Sequence, residues 1–100
     1  MLESEIEKRL VREVRKMGGM AYKFVSPGNA GVPDRIVIMP GGEVWFAELK
    51  AEGGRLSPPQ KRQIGKLRGL GMKVAVIRGM EGLEEWLDEV HTTRLPADSL

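Results

Sequence analysis

Two β-rich runs, Arg35-Ile36-Val37-Ile38-Met39 and Glu43 to Lys50, are separated only by Pro40-Gly41-Gly42. So short a spacer leaves the chain a tight antiparallel reversal, and the rest of the fold has to be built around that hairpin. Upstream, Ile6, Leu10, Val14 and Met17 recur at helical spacing between Glu3 and Met17, and Gly18-Gly19 supplies the stop. Met20 to Val25 reads as a first strand, ended by the turn-rich Ser26-Pro27-Gly28-Asn29-Ala30-Gly31. Downstream, Ser57-Pro58-Pro59-Gln60 combines an N-cap serine, proline at the first helical position and a capping-box glutamine. The helix it opens runs through Ile64 and Leu67 to about Leu70, and Lys73 to Ile77 follows as a buried strand reached by a β-helix-β crossover. Leu83, Trp86, Leu87 and Val90 give a closing helix. The order αβββαβα predicts an α/β domain, a mixed four-stranded sheet flanked by helices. Residues 1–90 are expected to form this single domain, and 91–100, which lacks periodicity, a flexible tail.

Composition removes several kinds of chemistry. With no cysteine, thiolate nucleophiles, Fe–S clusters and cysteine-based zinc sites are excluded, and His91 is the only histidine. A serine-histidine triad or a histidine-rich metal site would have to draw on the polar C-terminal end, where positioning is poor. The N-terminus lacks the basic and apolar blocks of a signal peptide, and no apolar run approaches the ~18 residues of a membrane span, so an intracellular, cytoplasmic protein without a membrane partner is expected. The first eighty residues carry 15 basic and 8 acidic side chains, a balance of +7 that suits a polyanionic partner.

Acidic residues stand where core residues are expected. At about 100° per residue, Glu3 and Glu7 share the stripe of Leu10 and Val14, so both carboxylates are expected to face inward, with Glu7 the better held. Macrodipole stabilisation at a helix start accounts for the same placement. In the strand from Glu43 to Lys50, Phe46, Glu48 and Lys50 share one face and Trp45, Ala47 and Leu49 the other. Asp34 opens the neighbouring strand after Gly31-Val32-Pro33, and pairing about the Pro40 to Gly42 turn puts it opposite Glu48, within one register step. Like charges held that close repel unless a cation sits between them, and oxygen-only ligands favour Mg²⁺ or Mn²⁺.

Pro33-Asp34, thirteen intervening residues and Glu48-Leu49-Lys50 resemble the signature of the PD-(D/E)XK nuclease superfamily. Gly31-Val32-Pro33-Asp34-Arg35, Pro40-Gly41-Gly42, Phe46-Ala47-Glu48-Leu49-Lys50, Gly53-Gly54-Arg55-Leu56-Ser57 and Gln60 resemble, more narrowly, the VRR-NUC family over residues 3 to about 88. The resemblance implies a restriction-endonuclease-like core and a stand-alone, virus-type enzyme similar to minimal Holliday junction resolvases, in the host cytoplasm if viral. It implies that Asp34 and Glu48 bind the metal, with the Leu49 carbonyl as a further ligand. Lys50 would position or deprotonate the attacking water, and Glu7 or Glu3 would complete the site. Gln60 matches the family's glutamine, although the capping box explains it equally well.

The implied reaction is metal-dependent hydrolysis of a DNA phosphodiester bond. Lys23, Arg35, Arg55, Lys61, Arg62 and Lys66 are the candidate phosphate contacts, cations that position a backbone without reading bases. Branched DNA, a four-way junction in particular, is the expected substrate. A generic nicking or flap nuclease and a catalytically silent DNA-binding module are the competing readings. Symmetric cutting implies a homodimer, with Leu83, Trp86, Leu87 and Val90 or the hairpin Trp45 as candidate apolar interface.

Overall fold

The computed structural model describes residues 2–93. Its elements are α1 (Glu3–Lys16), β1 (Met20–Lys23), β2 (Arg35–Ile38), β3 (Val44–Lys50), α2 (Pro58–Gly69), β4 (Lys73–Arg78) and α3 (Gly79–Thr93), the order expected from the sequence. One four-stranded sheet runs β1-β2-β3-β4, antiparallel up to β3 and parallel between β3 and β4. The parallel pair is the product of the α2 crossover.

The hairpin turn closes as its composition requires, with the Gly42 N–H donating to the Met39 carbonyl and the Met39 N–H to that of Glu43. Arg35 then faces Ala47, Ile36 Phe46 and Val37 Trp45. Because side chains alternate, this register sorts the sheet into two faces. On one face Val37, Trp45, Ala47, Leu49 and Ile77 pack with Ile6, Leu10 and Val14 of α1 and Leu83, Trp86 and Val90 of α3. On the other, Phe46 and Val74 pack with Ile64, the only buried residue of α2. The three layers are therefore α1 with α3, the sheet, and α2 alone.

Three expectations are corrected. The closing helix begins at Gly79 and runs through Thr93, so it takes in the first three residues of the expected tail. Residues 94–100 lie outside the described residues. Glu3 is exposed instead of facing inward, since a first-turn carboxylate keeps its hydration and still gains from the helix dipole. Leu83, Trp86, Val90 and Trp45 are buried within one chain, where the Trp45 and Trp86 rings meet edge to face at 5.8 Å, so these side chains are core and offer no exposed interface.

Gly19 shows how closely α1 and the sheet are joined. A Cβ there would lie 2.6 Å from the Ile38 carbonyl oxygen and 2.8 Å from the Met39 sulfur. Gly19→Ala should therefore destabilise the fold by about 1–3 kcal/mol, as overpacking of close-packed interiors does. A urea melt should show the midpoint falling with an unchanged m-value.

Candidate active site

The site forms at the carboxyl end of β3. Glu48 and Lys50 share the α2-facing side with Phe46, while Leu49 between them is buried in the opposite core and anchors the strand. Extending the β2–β3 register by one residue sets Asp34 opposite Glu48. Asp34 is held twice: its carbonyl accepts the Phe24 N–H at 2.9 Å, and its Oδ2 accepts the Leu49 N–H at 2.8 Å.

Glu48 is 1% exposed. Its Oε2 accepts a hydrogen bond from Gln60 Nε2 at 3.0 Å and lies 3.5 Å from Lys50 Nζ. Its Oε1 is buried and has no hydrogen-bond partner among the described residues. Burial first, and the Asp34 charge second, push the Glu48 carboxyl up to about 7; Lys50 opposes them, and Glu3 adds a smaller upward push.

Gln60 makes the capping contact expected of it and a second contact with Glu48. Its Oε1 accepts the Ser57 N–H at 2.8 Å, completing the capping box, while its Nε2 reaches Glu48. Sequence reasoning missed what seats this helix start beside Asp34. Gly31, at φ +89°, lies so close to α2 that a Cβ would stand 2.4 Å from the Pro59 carbonyl carbon and 2.6 Å from the Gln60 nitrogen. A glycine three residues before Asp34, in a loop facing a proline-capped helix, was the available signal.

The remaining candidates divide by face. Arg35 has the parity of Val37 and points to the α1 side, where its Nε donates to Glu7 Oε2 at 2.7 Å and its Nη1 to the Ala21 carbonyl at 3.1 Å. Glu7 and Arg35 thus neutralise each other across the sheet from Asp34 and Glu48. Of the two helix-1 acids, Glu3 is the one whose charge adds to the upward push on Glu48, while Glu7 is paired with Arg35. Lys23 pairs opposite Arg35 and shares its face. Arg55, Lys61, Arg62 and Lys66 are exposed on the loop before α2 and on α2 itself. Among the described residues, no group of three acidic or histidine side chains is close enough to hold a metal ion unaided.

The raised carboxyl has a measurable consequence. Between about pH 4.5 and 7 the folded metal-free protein keeps a proton on Glu48 that the unfolded chain has released, so stability falls as pH rises through that window. Glu48→Gln should remove this fall and, by denaturant melts, be more stable than the parent at pH 8 by on the order of 2 kcal/mol. Parallel pH profiles of the two proteins would refute it.

The VRR-NUC domain profile matches residues 2–81. "Putative nuclease p44" of Acyrthosiphon pisum secondary endosymbiont phage 1 is 55% identical over 75 residues, which is 75% of this chain and 81% of the phage protein. A solved structure described as a VRR_NUC domain superposes with a TM-score of 0.74 at 25% identity, covering 93% of this chain and 97% of its own. With the matched profile spanning the hairpin, Asp34, Glu48, Lys50 and Gln60, this chain belongs to the VRR-NUC family.

Proposed function

We propose that this chain is a nuclease that hydrolyses DNA phosphodiester bonds with a bound Mg²⁺ or Mn²⁺, and that branched DNA, the four-way junction first, is its substrate. The observation that carries the reading is Glu48: a buried carboxylate oxygen without a donor, beside a second carboxylate, at the open end of a strand. Such a pair is unfavourable in the ionised state alone and fits a hard cation, so the residues present suit the metal. Asp34, Glu48 and the Leu49 carbonyl would hold it, with Glu3 supplementing them. The ion would polarise the scissile phosphate and acidify a bound water.

The chain's own groups do the positioning. Gln60 ties down Oε2 of Glu48 and leaves Oε1 for the metal. The Leu49 N–H fixes Oδ2 of Asp34 in the same way. Lys50, anchored beside Glu48, orients the attacking water and holds or takes its proton. Symmetric cutting of a junction calls for two such sites, hence a homodimer. The phage relative supports action in the host cytoplasm, and among the described residues no helix is long and apolar enough to cross a membrane.

Calorimetric titration with Mn²⁺ should show binding that an Asp34→Asn, Glu48→Gln double variant loses; equal binding in both would remove the site. Lys50→Ala should keep the fold and DNA binding while cleavage of a four-way junction falls at least ~100-fold. Equal rates on junction, flap and nicked duplex would replace the resolvase by a generic nuclease.

A further inference from the structure

Among the described residues, the ion pairs lie on α1, α3, the sheet or the turn into β3: Arg9 with Glu13 and Glu84, Lys16 with Glu13, Arg35 with Glu7, Lys50 with Glu48, and Lys73 with Glu43. None lies on α2. The segment 53–80, which contains α2, carries seven Lys and Arg residues and no Asp or Glu. Lys61, Arg62 and Lys66 are exposed there without an acidic partner among the described residues, and Arg55 stands exposed just before the helix. Arg68 differs, since its Nη2 donates to the Val74 carbonyl at 2.8 Å.

The same open face carries Gly65, in the interior of the helix and between the cations. A Cβ at Gly65 would meet nothing within 4 Å. Nothing among the described residues therefore requires a residue that weakens helices, whereas an outside surface pressed against the helix would. The face has no aromatic side chain on which unpaired bases could stack. Ile64 and Leu67 are turned to the core, so α2 presents no apolar face to a lipid surface.

We propose that α2 is the docking helix for a duplex arm of the DNA, with Lys61, Arg62 and Lys66 on its phosphates and Gly65 at the point of closest approach. The inference rests on the nuclease reading and adds where the duplex lies. Gln60, in the first turn of α2, touches Glu48. A duplex seated on the helix therefore runs directly away from the metal site. At ~1.5 Å per residue the helix is roughly 18 Å long, about five base steps of duplex axis.

The decisive variants are Gly65→Ala and Gly65→Leu, because stability and binding should move in opposite directions. Each should raise Tm, by about 4–8 °C for alanine. Each should also weaken binding of a 20-base-pair duplex measured by fluorescence anisotropy, with at least a tenfold loss for leucine. Lys61→Ala, Arg62→Ala and Lys66→Ala should each lower the slope of log affinity against log salt by about 1. Duplex affinity unchanged in the Gly65 variants and an unchanged salt slope would overturn the docking helix. Junction cleavage at the parent rate in those same variants would leave the nuclease reading standing. A parent protein that neither binds nor cuts DNA would overturn both. Loss of binding to phosphatidylglycerol vesicles, with duplex binding intact, would make α2 a membrane face instead.

Discussion

Keeping Glu48 almost wholly out of water governs how the rest of this small domain is arranged. A buried carboxylate is costly unless donors and cations surround it, and here they come from only two elements. Lys50 shares its strand, and Gln60 arrives from the first turn of α2. Both depend on packing elsewhere. Leu49 and Ala47 fix β3 from the α1 side, while Phe46 and Val74 hold α2 through Ile64. A slip of one residue in β3 would exchange Glu48 for Leu49 and put a charge into the main core, so the hydrophobic pattern that specifies the sheet also aims the site.

Much of this was legible beforehand because the hairpin is nearly self-determining. A three-residue spacer set the register, the register set the faces, and the faces brought Asp34 to Glu48. The helix-1 acids were not legible in the same way. A helical projection gives the direction of a side chain but not which end of the helix the sheet covers, nor what waits there. The omitted step was the parity of Arg35, which places a guanidinium on the α1 side ready for Glu7. Periodicity likewise marked Leu83, Trp86 and Val90 as apolar but could not separate core from interface; only packing against Trp45 does. The role of Gly31 was hidden because its contact with Pro59 joins segments nearly thirty residues apart.

Charge is distributed with the same division between faces. On the α1 side, acids and bases meet each other: Arg35 with Glu7, and Arg9 bridging to Glu84 on α3. On the α2 side the acids are gathered at Asp34 and Glu48, and Lys61, Arg62 and Lys66 have no acidic partner among the described residues. Exposed ion pairs contribute little to stability, so neutralising α2 in the same way would have gained the fold almost nothing. Unpaired, those cations project a positive potential over the approach to two carboxylates, a field that favours a polyanion arriving at an otherwise repulsive site.

One amide links the stability of the helix to the readiness of the site. Gln60 uses its oxygen to cap α2 at Ser57 and its nitrogen to hold Glu48, so neither bond can be optimised without the other. If the first turn of α2 frays, Oε2 of Glu48 loses the Gln60 donor and keeps only Lys50, so the carboxylate becomes harder to ionise while it stays buried. A phosphate backbone lying on α2 would press the turn, through Pro59, against Gly31, favouring the capped arrangement. In this geometry the surface that receives the substrate is also the one that keeps the buried carboxylate oriented, and local order at the helix start connects the two.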